Sequence, residues 1–341
     1  MAENNGASPG APSVLDPSRI LALSTGYWDS QTLLTANRMG LFAILAREAL
    51  TLEQVASALA AQPRGVRLLL NACIALGLVQ EDDGQYANTD LSQAFLTPGQ
   101  AGYLGDAIRY SDDLYNTWGE LETSLKTGEP AMPAKMYTGE DEAQTRHFVY
   151  GMHNRALGIG RMMVDLVDLS GRSKMIDVGG GPGTYSSLFA QRYPDLCSTV
   201  LDLPGVVKIA DEIIASLGVA AQVSTAKLDY MQDDFPGGND VVLISGVFHR
   251  ESEATCRGFI RRAAQALQPG GLLMISDVFA DAGGSSPLFA TLFGLNMMLT
   301  APDGGVHADE DVASWMQDEG FAEINKVAFP PPMPHRIVTG V

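Results

Sequence analysis

The second half of the chain alternates short apolar runs with helix-length segments, and this alternation restricts the possible folds more than any other feature. The runs contain few polar residues and read "KMIDVG", "STVLDL", "QVSTAKL", "DVVLISGVF" and "GLLMISDVF". Strands of this kind, separated by helices, form an α/β fold in which helices cover both faces of a parallel sheet. Two later runs, "AEINKVAF" and "HRIVTGV", lie close in sequence, and we expect an antiparallel pair at one edge of that sheet.

The first half of the chain has the periodicity of helices. Thr51 is followed three residues later by Gln54, which is the pattern of a capping box at a helix start. Two helical segments and then a strand pair across Asp82-Asp83-Gly84 predict a winged helix. We therefore divide the chain into four parts, namely a disordered tail (1–16), a winged-helix domain (17–105), a helical connector (106–170) and the α/β domain (171–341).

The charge of the chain argues against a nucleic-acid partner. Its 40 acidic and 22 basic side chains give a net charge of −18, whereas phosphate backbones and anionic membranes bind basic surfaces. The helix expected at about 63–76 would be the recognition helix, yet beyond Arg64 and Arg67 it is almost wholly apolar. We predict no nucleic-acid or membrane partner, and expect this helix to pack against another protein surface.

The cysteines and the N-terminal segment bear on the compartment. Cys73, Cys197 and Cys256 are far apart and have no CxxC spacing, so we expect small buried side chains rather than disulfides. The first residues lack the basic and apolar segments of a secretory leader, and no apolar run approaches about 18 residues. These features predict a cytoplasmic protein.

A glycine-rich turn, "MIDVGGGPG" at 175–183, follows the first apolar run of the α/β half. A P-loop is excluded because no Lys-Ser/Thr follows Gly183, and a dinucleotide site would need GxGxxG, whereas this turn has GxGxG. Asp202 ends the second run and would suit a ribose of either NAD or S-adenosylmethionine (SAM). Asp229, which ends the third run, could accept a hydrogen bond from the adenine amino group and favours SAM.

The stretch "MIDVGGGPGTYSSLFAQRYPDLCSTVLDLPGVV" resembles the cofactor site of class I SAM-dependent methyltransferases. More narrowly, the chain from about residue 20 to its end resembles small-molecule O-methyltransferases of the caffeate and acetylserotonin types and their bacterial natural-product relatives. The resemblance implies a Rossmann-like seven-stranded sheet with an antiparallel seventh strand, a homodimer through the winged-helix domain, and conversion of SAM to S-adenosylhomocysteine. The expected cofactor contacts are Asp177, Gly179, Gly181, Asp202, Leu203, Asp229, Tyr230 and Ser245.

The same resemblance places catalysis at His249, which directly follows the fourth run. A histidine is a suitable base near neutral pH, and methyl transfer to a hydroxyl needs an acceptor for its proton. Asp277 matches an acid that orients the histidine, although the family's usual residue is Glu. A second orienting Glu of the family is Val306 here. Because of these departures, a C- or N-methyltransferase in which His249 only positions the substrate stays open.

The resemblance also implies where the acceptor binds. Its pocket would be lined by Phe148 and Met152 on one helix and by Asn296 and Met297 on another, and methionines suit contacts with flat rings. We therefore expect a small apolar, aromatic acceptor. His249, His307 and Asp277 could in principle share a metal, but their spacing offers no local ligand pair, so no metal is predicted. A winged-helix regulator that senses SAM is the alternative outside enzymes.

Overall fold

The computed structural model describes residues 15–132, 141–331 and 333–341. The predicted tail falls outside the described residues except for its last two positions. The chain divides into two compact units, one ending at Ser92 and the other spanning Gln93–Val341. This division comes earlier than the predicted boundary at 105, because the helix beginning at Gly105 packs against a long helix of the second unit.

The first unit contains the predicted helices and strand pair. Thr51 forms the capping box, since its hydroxyl accepts from the Gln54 backbone N–H at 3.4 Å and the Gln54 side chain accepts from the Thr51 N–H at 2.8 Å. Asp83 and Gly84, both with positive φ, turn the chain between the last two strands. The elements are α1 (Ser18–Thr25), α2 (Tyr27–Arg38), α3 (Leu41–Ile44), β1 (Leu50–Thr51), α4 (Leu52–Ala58), α5 (Pro63–Ala75), β2 (Val79–Asp82) and β3 (Gln85–Asn88). A further helix, α6 (Asp90–Phe95), contains the boundary.

The second unit is an α/β structure whose strands and helices alternate from residue 174 onward. Its helices are α7 (Gly105–Asp113), α8 (Tyr115–Trp118), α9 (Leu121–Thr127), α10 (Glu142–Leu166), α11 (Thr184–Arg192), α12 (Pro204–Ser216), α13 (Glu253–Ala266), α14 (Leu288–Thr300) and α15 (Asp309–Asp318). Its strands are β4 (Lys174–Val178), β5 (Cys197–Asp202), β6 (Val223–Lys227), β7 (Asn239–Ser245), β8 (Leu267–Val278), β9 (Asn325–Ala328) and β10 (His335–Gly340). A 3-10 turn, Phe248–Arg250, follows β7.

The seven strands form one sheet in the order β6-β5-β4-β7-β8-β10-β9. Strands β4 to β8 pair in parallel, whereas β10 runs antiparallel to both β8 and β9. The predicted α/β fold with an antiparallel strand pair at one edge is therefore confirmed. Since the five parallel strands share one direction, their carboxyl ends meet at a single edge, where ligands of such sheets bind.

Apolar side chains cover both faces of this sheet. On one face, residues of α13 and α15 such as Phe259 and Trp315 pack with Ile244 and Ile275 of the central strands. On the other face, α10 and α11 contribute a second cluster of buried apolar residues. These two layers hold the strand ends in place.

Two cysteines are buried as expected, but the third is not. Cys73 and Cys256 lie in the interior, whereas Cys197 is exposed, so the prediction for Cys197 is wrong. Cys197 is the first residue of β5 and precedes the buried part of that strand. Its apolar neighbours in sequence therefore gave no information about its own exposure.

Helix α10 is the element that brings the connector onto the sheet. It begins at the N-cap Asp141, whose carboxylate accepts from the Ala143 and Gln144 backbone N–H groups. Near its middle, a Cβ on Gly160 would lie 2.6 Å from Leu188 Cδ1 of α11, so a larger residue there would require the Leu188 side chain to move. The close packing holds the first half of α10 over the carboxyl ends of the strands.

Candidate functional site

A cavity of about 600 Å³ lies at the carboxyl ends of β4, β5, β7 and β8. All of the predicted site residues line it except Asp177 and Asn296. We call one part the glycine-loop end, which is lined by Gly179, Gly181, Asp202, Leu203, Asp229, Tyr230 and Ser245. We call the other part the helical end, which is lined by Tyr110, Phe148, Met152, Phe293 and Met297.

The glycine loop presents bare backbone to the cavity. Gly179 and Gly181 have φ angles of +66° and +54°, which side chains other than glycine rarely adopt. A Cβ on Gly179 would lie 2.9 Å from Val247 Cγ2, whereas one on Gly181 would meet nothing within 4 Å. A side chain at Gly181 would therefore extend into open space beside the loop, so glycine leaves room there for a ligand to approach the backbone.

Asp202, the last residue of β5, holds the glycine loop. Its Oδ2 accepts from the Gly181 N–H at 2.8 Å and its Oδ1 accepts from the Leu203 N–H at 2.7 Å. Burial raises the pKa of Asp202 to about 6, although both backbone hydrogen bonds oppose that rise. The carboxylate is thus positioned at the cavity wall with acceptor capacity left for ligand hydroxyls.

Asp177 does not line the cavity, so the structure does not bring it together with the other predicted cofactor contacts. It is fully buried beneath the loop, where its Oδ2 accepts from the Ser186 hydroxyl at 2.8 Å. A Cβ on Gly180 would lie within 3 Å of its carboxyl group. Burial raises the pKa of Asp177 to about 7. The acid supports the loop from below, and the glycine pattern alone could not show on which side it lies.

The far part of the glycine-loop end is formed by Asp229 and Tyr230. Asp229 accepts from the Met231 N–H at 2.9 Å and from the Gln232 side-chain amide at 2.8 Å. The Tyr230 hydroxyl donates to Glu251 Oε1 at 3.3 Å, and its ring meets Phe259 edge-on at 5.4 Å. These contacts fix both side chains where a flat heterocycle could lie against the Tyr230 ring.

His249 and Asp277 form a hydrogen-bonded pair on the cavity wall. His249 Nδ1 lies 2.7 Å from Asp277 Oδ1, and the His249 backbone N–H donates to Asp277 Oδ2 at 3.2 Å. The Val278 N–H also donates to Asp277 Oδ1, at 2.7 Å. Burial opposes ionisation of Asp277, but the neighbouring His249 and these hydrogen bonds together hold the pKa of Asp277 below its usual range. The imidazole is 15% exposed, so its other nitrogen is left accessible from the cavity.

The helical end is apolar and rich in rings. Tyr110 and Phe148 meet edge-on with centroids 5.8 Å apart. Phe293 of α14 meets the His249 ring edge-on at 5.0 Å, so the histidine stands where the two ends of the cavity join. Such a wall favours a flat, apolar ligand.

Asn296 does not line the cavity, so the structure does not bring it together with the other predicted substrate contacts. Its Oδ1 accepts from Trp118 Nε1 at 2.8 Å, which links α14 to the short helix α8. The next residue, Met297, does line the cavity. One step along a helix turns a side chain by about 100°, which is enough to separate the two roles.

Val306 and His307 are adjacent in the chain but have different surroundings. Val306 packs with Val278 and Phe293 in an apolar cluster. His307 Nε2 lies 3.0 Å from the Glu251 carbonyl oxygen, and its ring contacts Trp315 rather than His249. No group of three His, Cys, Asp or Glu side chains within the described ranges could hold a metal ion.

The sequence analysis missed Arg155, Tyr185 and His335, which also line the cavity. Arg155 lies three residues after Met152 and seven after Phe148, a spacing that places all three on one face of α10. The sequence spacing alone could therefore have predicted that Arg155 lines the same pocket as Phe148 and Met152. His335 reaches the site because β10 pairs with β8 next to Val278, and this depends on strand order. Burial lowers the pKa of His335 to about 4.

Comparison with known proteins agrees with this geometry. The O-methyltransferase domain family matches residues 118–322, and the O-methyltransferase dimerisation domain family matches residues 21–98. A 3-hydroxy-5-methyl-1-naphthoate 3-O-methyltransferase of Streptomyces sahachiroi is 32% identical over 97% of this chain and 96% of its own. A tetracenomycin polyketide synthesis 8-O-methyl transferase of Streptomyces glaucescens is 30% identical over 92% of this chain and 94% of its own.

A solved structure shows the same fold. Human N-acetylserotonin methyltransferase in complex with SAM superposes with a TM-score of 0.86 at 24% identity, covering 97% of this chain and 99% of that one. Across the part of the chain that the structure describes, no helix combines the length and apolar character needed to cross a bilayer.

Proposed function

Because this chain belongs to the O-methyltransferase family of SAM-dependent enzymes, we propose that His249 is the general base that accepts the proton of an aromatic hydroxyl. The observation that carries the proposal is the hydrogen bond of 2.7 Å between His249 Nδ1 and the buried carboxylate of Asp277. That bond assigns the Nδ1 proton and leaves Nε2 as the acceptor.

The glycine-loop end fits the cofactor. The open backbone at Gly181 suits the methionine end, the Asp202 carboxylate suits the ribose hydroxyls, and Asp229 with Tyr230 suits the adenine. When bound there, SAM supplies a methyl group on a positively charged sulfur.

The residues around His249 have three tasks. The apolar side chains of the helical end exclude water and hold the acceptor ring in place. The acceptor hydroxyl loses its proton to His249 Nε2 as its oxygen takes up the methyl group. The Asp277 carboxylate keeps the imidazole in the productive orientation and stabilises the imidazolium that forms. Asp277 does this without a second acid, since Val306 is apolar.

The acceptor is proposed to be a fused aromatic hydroxy compound of the polyketide kind. The wall formed by Phe148, Met152, Phe293 and Met297 suits flat rings better than flexible molecules. Relatives named for a hydroxynaphthoate and for a polyketide support the same class.

A transfer assay with SAM carrying a deuterated methyl group tests the proposal. The enzyme is incubated with hydroxynaphthalenes and with the matching aminonaphthalenes, and products are analysed by mass spectrometry and NMR. We expect the label on oxygen. Label on nitrogen or ring carbon alone would contradict the proposal and favour His249 as a positioning group.

We further propose that the chain acts as a homodimer through its first unit. Helix α1 has no buried residue within the chain although half of it is apolar, and Ile20 and Leu23 are more than 60% exposed. Light scattering of the wild type should give a dimer, and Ile20→Asp with Leu23→Asp should shift it toward monomer. A wild-type monomer at all concentrations would contradict this. We also propose a cytoplasmic location and no nucleic-acid partner; the free cysteines support the first and the acidic turn at 81–83 supports the second.

A further inference from the structure

Arg155 is a cation on the cavity wall for which the structure provides no counter-charge. Its guanidinium makes no hydrogen bond or ion pair with any residue in the described ranges, and it is only partly exposed. Neighbouring polar side chains on α10 are all engaged. His153 is hydrogen-bonded to Thr184 at 2.8 Å, and Asn154 donates to Asp106 at 2.8 Å.

The acids that line the same cavity each accept hydrogen bonds from groups other than Arg155. Asp277 accepts from His249 and Val278, and Asp202 accepts from two backbone N–H groups of the loop. Asp229 accepts from two groups of its own turn. The other arginine of the wall, Arg250, is next to Glu251 in the chain; burial raises the pKa of that carboxyl, and the charge of Arg250 opposes the rise. Among the described residues neither arginine forms a hydrogen bond or an ion pair with a carboxylate, but Arg155 also has no acid next to it in the chain.

Arg155 shares the cavity wall with Tyr185, which follows the glycine loop, and with His335. Burial raises the pKa of Tyr185 to about 12 and lowers that of His335 to about 4, and the charge of Arg155 opposes the first shift and adds to the second. Nδ1 of His335 is buried without a hydrogen-bond partner among the described residues. Two unsatisfied polar groups thus stand together on an otherwise largely apolar wall.

A ligand that fills the cavity displaces the water around Arg155. A guanidinium that loses water without gaining an anion is strongly unfavourable, so the ligand must bring a negative charge to this point. The planar fork of arginine matches a carboxylate, to which it donates two parallel hydrogen bonds.

We propose that Arg155 is the carboxylate-binding residue of this cavity. The inference rests on the proposed function for the identity of the ligands. Two carboxylates could meet Arg155, namely the methionine carboxylate of the cofactor and a carboxylate on the aromatic acceptor. The chemistry at Arg155 is the same in both cases, and binding experiments separate the two sources.

The first arm compares S-adenosylhomocysteine with its decarboxylated analogue, which keeps the amino group, by calorimetry. If Arg155 binds the cofactor carboxylate, Arg155→Met weakens S-adenosylhomocysteine by about 10- to 100-fold and leaves the analogue within about threefold. The second arm compares 3-hydroxy-1-naphthoate with 2-naphthol, each binding to the enzyme saturated with S-adenosylhomocysteine. If Arg155 binds the acceptor carboxylate, the same loss appears for the naphthoate only.

Two further variants make the result specific. Arg161→Met removes an equal charge from the exposed side of α10 outside the cavity and should change neither comparison. Arg155→Lys keeps the positive charge but removes the planar guanidinium, so it should weaken binding of the carboxylate-bearing ligand less than Arg155→Met does. The lysine variant also replaces Arg155→Met in the test if the methionine variant does not fold. The proposal is overturned if Arg155 variants change both members of each pair equally, or neither. Both arms measure binding and not methyl transfer. They therefore test the role of Arg155 even if the enzyme methylates no hydroxyl.

Discussion

The two ends of the cavity are built in different ways. At the glycine-loop end, each contributing residue ends a strand or lies within three residues of a strand's end, and hydrogen bonds such as that from Gly181 to Asp202 hold the loop in shape. At the helical end, residues come from α7, α10 and α14, which are far apart in sequence, and the contacts are between apolar rings and methionines. Short-range hydrogen bonds thus define one end, and long-range packing defines the other.

This difference predicts how selective each end of the cavity is for its ligand. A hydrogen-bonded end recognises one ligand, because a substitution there leaves a buried polar group unsatisfied. An apolar end accepts any flat molecule of suitable size, and methionine in particular adapts to irregular shapes. His249 stands at the junction and contacts Phe293 on the helical side. Substitutions at the junction, at the loop and on α14 should therefore have separate effects.

The largest effect is expected at the junction. His249→Ala should lower kcat by about 10²- to 10⁴-fold because the acceptor hydroxyl loses its base, and the affinity for S-adenosylhomocysteine should stay unchanged. Steady-state kinetics and calorimetry measure the two quantities. His147→Ala is the control, since that histidine is bound to Asp113 outside the cavity. A decrease of only a few-fold in kcat would favour a positioning role for His249.

The next effect concerns the loop. Asp202→Asn should weaken S-adenosylhomocysteine by about 10- to 100-fold, since charge-assisted hydrogen bonds are lost, while kcat at saturating SAM changes little. Calorimetry measures the affinity. Asp211→Asn, on the exposed side of α12, is the matched control. Equal affinity in wild type and Asp202→Asn would show that the acid does not contact the cofactor.

A third, smaller effect is a pH dependence of cofactor binding. The pKa of Asp202 is raised to about 6, so the carboxylate becomes protonated as the pH falls through that value. Protonation removes acceptor capacity for ribose hydroxyls, and the affinity for S-adenosylhomocysteine should fall below about pH 6, by up to about tenfold per pH unit. Above that pH it should be constant. In Asp202→Asn the dependence should disappear, and its persistence there would assign it to another group.

The smallest effect separates two adjacent residues of α14. Asn296→Ala should lower the free energy of unfolding by about 0.5–1.5 kcal/mol through the lost bond to Trp118, with KM for the acceptor unchanged. A double-mutant cycle with Trp118→Phe, followed by denaturant unfolding, should show that the two residues are coupled. Met297→Ala should instead raise the acceptor KM. If Asn296→Ala raised KM without loss of stability, Asn296 would regain its predicted role as a substrate contact.

Much of the loop end was predictable because its parts are local. Gly179, Gly181, Asp202 and Asp229 each stand at a strand end, and parallel strands bring such ends to one edge whatever the details of packing. Asp177 was the exception, since whether a strand-end side chain points up to the cavity or down to the core depends on the twist and packing around it. The helical end was predicted less completely, because Arg155 and His335 reach it through helix rotation and strand order.

The sequence by itself determined the parallel sheet, the antiparallel strand pair at its edge, the glycine loop and the acids that follow the strands. Each of these depends on residue type and on spacings that a short segment contains. Only the tertiary structure decided that Asp177 lies beneath the loop, that Asn296 binds Trp118, and that Arg155 lines the cavity with no ion pair to any of the described residues. These depend on contacts between segments far apart in the chain, where a rotation of one helical residue separates an interior contact from a ligand contact.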